Sequence, residues 1–322
     1  MTIEHASMRV VDKPWGSMDL RPWSELRHDG AAIGELWFQR ADMNAPEPAL
    51  LLKLLFTTQA LSIQVHPNDT FAHSLGLANG KTEAWYVLSA TPQARIAVGL
   101  KRRLTSLQLR SSIEDGSISE QVQWRAVLRD DVIFVPAGTI HAIGAGLVIA
   151  EIQQRSDATF RLFDYGRQRE LHADNAVAAA DAGPAGRQSA ATRLSDARTV
   201  LVTSPHFVLE RIDLPPRSTW DLHAQRETWV LVLDGRAKIG LMNAFVGEAV
   251  FLDAEQAGIE AGPEGLKGLV AYPGPEPDPS LLRRRSGQSA ASSRSRKPPL
   301  LDRPARVASA AASAPRSTEV RS

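Results

Sequence analysis

The chain lacks cysteine altogether, and it also lacks any long uninterrupted apolar segment. Without cysteine it can have no disulfide framework, no thiolate metal ligand and no cysteine nucleophile. The longest apolar run, Ala49–Phe56, is interrupted by Lys53 and is far too short to cross a bilayer. Its N-terminal region contains no apolar stretch typical of a signal peptide. We therefore expect a soluble, cytoplasmic protein with no membrane partner.

The 322 residues, of which 43% are hydrophobic, are enough for about two domains with a real core. The formal net charge of +1 is the sum of a basic C-terminal segment and an acidic remainder. Residues 276–322 hold ten basic and four acidic residues, a net of +6, whereas residues 1–275 hold 27 and 32, a net of −5. The C-terminal segment is rich in Ser, Ala and Pro and has no aromatic residue. We expect it to be a disordered basic tail, and we disfavour nucleic-acid binding because stacking aromatics are absent.

Before residue 275, short alternating or apolar segments are separated by frequent turns, a texture typical of a mainly β sandwich or barrel. Helical spacing occurs in three places only, at residues 69–77, 105–113 and 118–127. A polar stretch rich in Ala and Gly, residues 174–196, separates two β-rich blocks. Our hypothesis is that the two blocks are copies of one β-barrel unit.

The first candidate metal ligands lie in the segment Leu61–Pro67. Strand alternation places Ser62, Gln64 and His66 on one face, so an amide oxygen and an imidazole stand side by side. Taken alone, a single histidine on a polar strand face is more often a hydrogen-bonded structural residue. The pair gains weight only with further ligands nearby.

Further ligands come from two other strands. Glu83 opens the apolar segment Ala84–Leu88, where a buried carboxylate would need a cation; Lys81 lies two residues earlier on the same face. A surface ion pair is an equally good interpretation of Glu83 in isolation. His141 follows the turn Pro136–Gly138, which would direct it back toward the strand it left. As a set, Gln64, His66, Glu83 and His141 offer imidazole and oxygen ligands that suit Zn²⁺, Mn²⁺ or Fe²⁺.

In this order, Gln-x-His-Pro, Lys-x-Glu and Pro-Ala-Gly-x-x-His-Ala resemble motifs of the zinc-dependent type I mannose-6-phosphate isomerases of the cupin superfamily, in their short bacterial form. The segments Lys13–Gly16 and Ile33–Trp37 resemble the family's Trp-Gly and Gly-Glu-x-Trp signatures. The resemblance runs from about residue 12 to 275. It implies two cupin-type β-barrels of jelly-roll form with a few short helices, and one zinc ion per chain held by the residues matching Gln64, His66, Glu83 and His141.

The resemblance also divides the chain into segments. We expect a catalytic cupin domain with a helical insertion, a linker, a second and degenerate cupin domain, and the basic tail, over residues 1–173, 174–196, 197–275 and 276–322.

The segment from Leu147 to Arg167 carries the candidate catalytic residues. Alternation places Glu151 on the face of Leu147 and Gln153, and a short turn after the His141 strand predicts that the two strands form a hairpin. Asp157 and Arg161 lie four residues apart, and by composition alone a surface ion pair is the better interpretation. The resemblance reverses this, because Ser-Asp-x-Thr-[Phe/Tyr]-Arg is a family signature that contains the active-site arginine.

The implied reaction interconverts mannose 6-phosphate and fructose 6-phosphate through a cis-enediolate. It needs a Lewis acid at the carbonyl and a base for a carbon-bound proton. Glu151 or Asp157 could be the base, Arg161 could stabilise the enediolate or bind the phosphate, and Lys81 is a second candidate for the anionic groups. The residues alone do not assign these roles.

In the second β block, His223 and Glu227 resemble part of a cupin motif, but no histidine follows at Ile259–Pro263. We expect a non-catalytic barrel that covers one face of the first, with His223 structural. Two alternatives to the leading hypothesis stay open: a metal-binding cupin that binds sugar or regulates without turnover, and an isomerase of another phosphorylated sugar.

Overall fold

The structure is a computed structural model that describes residues 2–26, 30–42 and 44–285. Most of the predicted basic tail, residues 286–322, lies outside the described residues. None of the helices in the described part of the chain has the length and apolarity that a membrane crossing requires. The mainly β architecture predicted from the sequence is confirmed.

The first half of the chain contributes most of two sheets. Its strands are β1 (Thr2–His5), β2 (Ser7–Ser17), β3 (Ile33–Gln39), β4 (Leu50–Thr57), β5 (Ile63–Val65), β6 (Glu83–Ala90), β7 (Arg95–Leu100), β8 (Val122–Ala126), β9 (Val132–Val135), β10 (His141–Ile143), β11 (Leu147–Gln154) and β12 (Phe160–Phe163). Its helices are α1 (Asp69–Ser74), α2 (Ser106–Glu114), α3 (Ile118–Gln121) and α4 (Ala173–Ala179).

After α4, the regular elements of the described residues are all strands. They are β13 (Thr192–Arg193), β14 (Arg198–Thr203), β15 (Phe207–Leu214), β16 (Thr219–Ala224), β17 (Thr228–Ile239), β18 (Met242–Phe245), β19 (Ala249–Asp253), β20 (Glu255–Pro273) and β21 (Leu282–Arg284).

The first barrel consists of two sheets that face one another. One has the order β2-β3-β4-β11-β6-β9 and the other β12-β5-β10-β7-β8. Apolar side chains from both sheets, such as Trp85 and Ile96, meet in one buried cluster between the two sheets. Helices α2 and α4 cover the outer face of the five-stranded sheet. The side chains that they bury there include Leu109 and Ile113 of α2 and Ala176 of α4. The polar site described below occupies the part of the interior that this cluster leaves open.

The second barrel is one large sheet of ten strands that encloses its own apolar cluster, which includes Val230, Val250 and Ile259. A further cluster joins the two barrels: Phe207, Trp229 and Phe251 pack with side chains of the six-stranded sheet such as Phe56 and Tyr86. Burying each such large side chain contributes about 1.5–3 kcal/mol. The second barrel therefore covers the outer face of the sheet that carries part of the site.

The segment boundaries expected from the sequence need two corrections. Strand β1, expected in the first domain, pairs with β19 of the second barrel. Strand β21, expected in the tail, pairs with β16. Both strands add to the edge of a sheet. Pairing between segments that are distant in sequence cannot be inferred from the residue pattern of either segment alone. The compact unit accordingly extends to Arg285 rather than ending at residue 275.

Three local predictions were also wrong. The helical pattern over residues 118–127 continues as a helix only to Gln121, after which β8 begins, and the expected linker contains helix α4. The strand with His141 does not form a hairpin with β11, because Gly144–Gly146 carries the chain across to the other sheet. The Thr57 hydroxyl stabilises this crossing by donating to Gly144 O at 2.8 Å and accepting from Leu147 N at 3.0 Å. Helices α1 and α2 begin as predicted, with Asn68 and Thr105 as N-caps.

Candidate metal centre and active site

Two adjacent strands of the five-stranded sheet bring Gln64 and His141 side by side. Gln64 on β5 is the register partner of His141 on β10. The turn that aims His141 inward depends on Gly138, whose φ of +87° is costly for any residue with a Cβ, and whose N–H donates to His66 O at 2.8 Å. The turn carries the chain from β9 in the six-stranded sheet to β10 in the five-stranded sheet.

Glu83 reaches the same place from the opposite sheet. The segment before β6 passes so close to Pro67 and Asn68 that a Cβ on Gly80 would lie 2.6 Å from the backbone of Asn68. Gly80 N donates to Asp69 Oδ1 at 2.7 Å, and Lys81 N to Pro67 O at 2.9 Å. This close approach places Glu83 against the residues that follow β5.

His66, Glu83 and His141 form a buried group whose ligand atoms all lie within 4.8 Å of one another. Both histidines donate from Nδ1 to a backbone carbonyl in this arrangement, His66 to Ala158 O at 2.7 Å and His141 to Thr139 O at 2.9 Å. These hydrogen bonds select the tautomer that leaves each Nε2 lone pair free, and they orient the rings as metal-binding histidines require.

Both imidazoles are neutral at pH 7. Burial, followed by the neighbouring Lys81 ammonium, lowers the pKa of His66 to about 3, and burial lowers the pKa of His141. Burial opposes ionisation of Glu83, but the Lys81 ammonium outweighs it and holds the pKa of Glu83 well below its usual value. Two neutral imidazoles and one carboxylate are the protonation states that bind a divalent ion.

The polar atoms of this group fit a metal ion. His66 Nε2 and Glu83 Oε2 are buried and have no hydrogen-bond partner among the described residues, although they lie 3.4 Å apart. His141 Nε2 also lies 3.4 Å from Glu83 Oε1. Ligands that hold zinc tetrahedrally at about 2.0–2.1 Å stand about 3.4 Å from each other. The group could therefore bind a metal ion.

Gln64 lies beside this group, and its amide faces His141. Gln64 Nε2 is 3.3 Å from His141 Nε2, and Gln64 Oε1 accepts from the Ser62 hydroxyl at 3.0 Å. A half-turn of the amide exchanges these atoms and brings Oε1 to the metal side, because the two ends of the amide are nearly equal in shape. The role of Gln64 as a fourth ligand stays a prediction.

Lys81 belongs to the same buried cluster. Its ammonium lies 3.4 Å from Glu83 Oε2. Burial works against its charge, but Glu83, followed by Glu151 and Asp157, more than compensates and raises the pKa of Lys81 above its usual value. Lys81 is therefore a cation in the wall of the site.

Glu151 lies in the floor of the cleft on β11. Its Oε2 accepts a hydrogen bond from Trp85 Nε1 at 3.1 Å, and its Oε1 is 3.6 Å from Lys53 Nζ. Burial, followed by the Glu83 carboxylate, raises the pKa of Glu151 to about 7 against the lowering effect of Lys53. A carboxylate with this pKa can both accept and return a proton near neutral pH.

Arg161 on β12 lies next to Gln64, which is its register partner on β5. Its guanidinium has no ion pair or hydrogen bond among the described residues, whereas the nearby Arg169 is held by both carboxylate oxygens of Asp164 at 2.7 and 2.6 Å. Burial, and then Arg169, lower the pKa of Arg161. Asp157 is exposed at the rim. The structure thus brings all the predicted site residues to one place.

One cleft of about 230 Å³ is lined by Gln64, Lys81, Glu83, Glu151, Asp157 and Arg161. His66 and His141 do not line the cleft and adjoin it through Glu83, at 3.4 Å each. Five further titratable residues line the cleft that the sequence did not predict to be part of the site. Lys13 and Glu35 belong to segments that resemble family signatures, and Lys53 only interrupts an apolar run. Arg169 and His172 belong to no motif identified from the sequence. A lysine in the middle of a strand that is otherwise apolar was the available signal for Lys53. Among the described residues only His66, Glu83 and His141 form a group of three metal-ligating side chains, so His223 is not part of one.

Comparison with curated proteins finds relatives of one kind. The chain is 38% identical over 162 residues to the mannose-6-phosphate isomerase ManA of Bacillus subtilis, which covers 47% of this chain and 51% of the relative. It is 34% identical over 194 residues to the mannose-6-phosphate isomerase of Streptococcus mutans, covering 56% of this chain and 61% of the relative. The matches thus span about half to three-fifths of the relatives' length. No protein-family model matches the chain.

Solved structures show the same fold. The mannose 6-phosphate isomerase from Bacillus subtilis superposes with a TM-score of 0.73 at 24% identity, covering 84% of this chain and all of the other. A variant of the phosphomannose isomerase from Salmonella typhimurium superposes with a TM-score of 0.68 at 14% identity, covering 85% of this chain and all of the other. The resemblance inferred from the motifs is therefore confirmed, as is the predicted fold.

Proposed function

We propose that this chain, a homologue of the mannose-6-phosphate isomerases, interconverts mannose 6-phosphate and fructose 6-phosphate. The observation that carries the proposal is the cleft itself. Glu83, which belongs to a His-Glu-His group that could bind a metal ion, lines the same pocket as Glu151, a buried carboxylate whose pKa is about 7. Aldose–ketose isomerisation needs these two functions together, because a carbon-bound proton must be moved while charge develops on the neighbouring oxygen.

We propose that Gln64, His66, Glu83 and His141 hold one zinc ion per chain. When bound, zinc supplies a Lewis acid that polarises the sugar carbonyl. The donor set supports this choice, since imidazole nitrogens and carboxylate or amide oxygens without sulfur suit zinc. The hydrogen bonds from Nδ1 of both histidines fix the orientation of the rings and leave Nε2 free to bind the metal.

We assign proton transfer to Glu151 rather than to Asp157. Glu151 is buried in the cleft floor and has a pKa raised to about 7 by burial, while Trp85 and Lys53 fix its two oxygens. It would accept the proton from C2 of the aldose and return it to C1. Asp157 is exposed at the rim, and a solvated carboxylate is a weaker base for a carbon-bound proton.

The cations of the cleft bind the negative charge of the substrate. Arg161 has a free guanidinium that can hold a phosphate or an enediolate with two parallel hydrogen bonds. Lys81 is already paired with Glu83, so it contributes positive charge at the wall more than a free binding group. Cytoplasmic location and the absence of a nucleic-acid partner stay predictions.

The test is a coupled assay of the purified full chain with mannose 6-phosphate, before and after treatment with a chelator and after addition of Zn²⁺. We expect turnover that the chelator abolishes and Zn²⁺ restores. No turnover with one zinc bound per chain would contradict the proposal in favour of a sugar-binding protein. Faster turnover of another phosphorylated aldose in the same assay would show that the substrate assignment is wrong.

Arg161→Lys tests the role of the free guanidinium. The variant keeps the charge but loses the planar fork, and each lost charge-assisted hydrogen bond costs about 1.5–3 kcal/mol. We therefore expect kcat/KM for mannose 6-phosphate to fall roughly ten- to a hundredfold, with the zinc content unchanged. Arg129→Lys, at an exposed arginine outside the cleft, is the matched control. An unchanged kcat/KM in Arg161→Lys would exclude a bidentate role.

A further inference from the structure

A row of side chains crosses the floor of the cleft from strand to strand. Trp37 on β3 is the register partner of Lys53 on β4, Lys53 is the partner of Glu151 on β11, and Glu151 is the partner of Trp85 on β6. Side chains at directly opposite positions on one face of a sheet lie in contact. The four residues therefore form one continuous line that passes through the proposed base, with Trp37 half-buried and the other three buried.

Lys53 is the charged link in this line. Its ammonium lies 3.6 Å from Glu151 Oε1 and 3.4 Å from Glu35 Oε2, and it stands 4.5 Å above the ring of Trp37. Only 3% of the Lys53 side chain is exposed. A buried ammonium must be compensated by its neighbours, so Lys53 is held between two carboxylates and is not available to pair with solvent ions.

Glu35 is fixed in turn from the far side. Trp37 Nε1 donates to Glu35 Oε2 at 2.6 Å, and the half-buried Lys13 ammonium lies 3.2 Å from Glu35 Oε1. Burial opposes ionisation of Glu35, but Lys53 and then Lys13 outweigh it and bring its pKa to about 2. Glu35 is thus a permanent anion that restrains Lys53 and shares its charge.

We propose that Lys53 and Glu35 are a positioning pair for Glu151: Lys53 holds the Glu151 carboxylate in the floor of the cleft and favours its ionised form, and Glu35 tempers that effect. The inference deepens the proposed isomerase function and rests on it. Neither residue touches the reacting atoms in this scheme. Both act through the orientation and charge of the residue that does.

The charges that face Glu151 from every surrounding element are known. They are Lys53 on β4, Glu35 on β3, Glu83 on β6 and Lys81 in the segment before β6. Glu83 and Lys81 belong to the metal centre and stay in place when β3 or β4 is altered. Changes at Lys53 and Glu35 therefore isolate the effect of the pair.

Lys53→Met removes the cation and keeps the length of the side chain. Glu151 then ionises less readily, so the acidic limb of the pH profile of kcat/KM should move to higher pH by about one to three units, the usual effect of an opposite charge at this range. Lys53→Arg, which keeps the charge, should leave the limb near its wild-type position. A limb that does not move in Lys53→Met would overturn the proposal.

Glu35→Gln should shift the acidic limb of the pH profile in the opposite direction. Glutamine can still accept the Trp37 hydrogen bond, but the anion that competes for Lys53 is gone, so the limb should move to lower pH by a smaller amount. General damage to the fold would not shift the two variants in opposite directions. Shifts of the same sign in Lys53→Met and Glu35→Gln would therefore refute the pair, and Glu35→Gln alone tests it if Lys53→Met does not fold.

A measurement without substrate separates this inference from the proposed function. In protein with ¹³C-labelled glutamate, the Glu151 carboxyl resonance is assigned by its absence from Glu151→Gln and titrated in the zinc-loaded chain. The midpoint should rise in Lys53→Met and fall in Glu35→Gln. If these shifts occur while mannose 6-phosphate is not turned over, the positioning pair holds and the assigned reaction is wrong. If turnover occurs without the shifts, the pair is wrong.

Discussion

Glu151→Gln should lower kcat for mannose 6-phosphate by about 10²–10⁴-fold, the range that a positioned general base contributes. The glutamine keeps the shape of the side chain and can still accept the Trp85 hydrogen bond, but it cannot take up a proton. Because Glu151 is not among the proposed zinc ligands, the zinc content of the variant should equal that of the wild type. The measurements are steady-state kinetics in the coupled assay and metal analysis of the same sample.

The comparison variant is Asp157→Asn. Asp157 also lines the cleft, but it is exposed at the rim, so we expect a much smaller loss of kcat. Exchange of the C2 proton of mannose 6-phosphate with deuterated solvent gives an independent measure of proton abstraction. A larger loss of exchange in Asp157→Asn than in Glu151→Gln would move the base to Asp157.

The second large effect is expected far from the cleft, in the buried ion pair of the second barrel. Arg198 donates to both oxygens of Glu210 at 2.8 and 2.7 Å and to Asp278 O at 2.7 Å, and the Tyr272 hydroxyl donates to Glu210 Oε1 at 2.5 Å. Glu210→Ala would leave the Arg198 charge buried without a partner. We expect a loss of about 3–5 kcal/mol in the free energy of unfolding, measured by urea denaturation.

Two controls identify the cause of that loss. Asp196→Ala, which breaks the exposed pair with Arg193, should leave the unfolding midpoint unchanged. The double variant Arg198→Met with Glu210→Leu removes both charges and should recover most of the stability, since an apolar pair of similar size can replace a buried ion pair. If the double variant is as unstable as Glu210→Ala, the loss comes from packing and not from the unpaired charge.

The pair also explains why the described chain continues past the predicted boundary. Asp278 N donates to the Tyr272 hydroxyl at 2.9 Å, and Asp278 O accepts from Arg198. These hydrogen bonds fix the position of the chain just before β21, so that β21 can pair with β16. From sequence, residues 276–285 are indistinguishable from the basic segment that follows them, because their order depends on Arg198 and on β16, which lie about 60 to 80 positions earlier.

The metal centre was predictable from the sequence because each candidate ligand sits in a short motif whose local geometry decides its direction. Strand alternation places Gln64 and His66 on one face, and a turn with a glycine at positive φ reverses the chain before His141. Both devices operate within about seven residues, so they can be inferred before the fold is known. The mainly β class follows from the same kind of local pattern.

Only the tertiary structure decided the surroundings of Glu151. Glu35 and Lys53 come from consecutive strands, whereas Glu151 lies on a strand much later in the chain. They meet because the register of β3, β4 and β11 places them on one face. The same holds for β1, which joins the second barrel, and for β11, which pairs with β4 and β6 instead of β10. A charged residue in an apolar strand shows by itself that a buried partner must exist, since an isolated buried charge is too costly. Which partner it finds depends on strand pairing, and that is a property of the folded sheet.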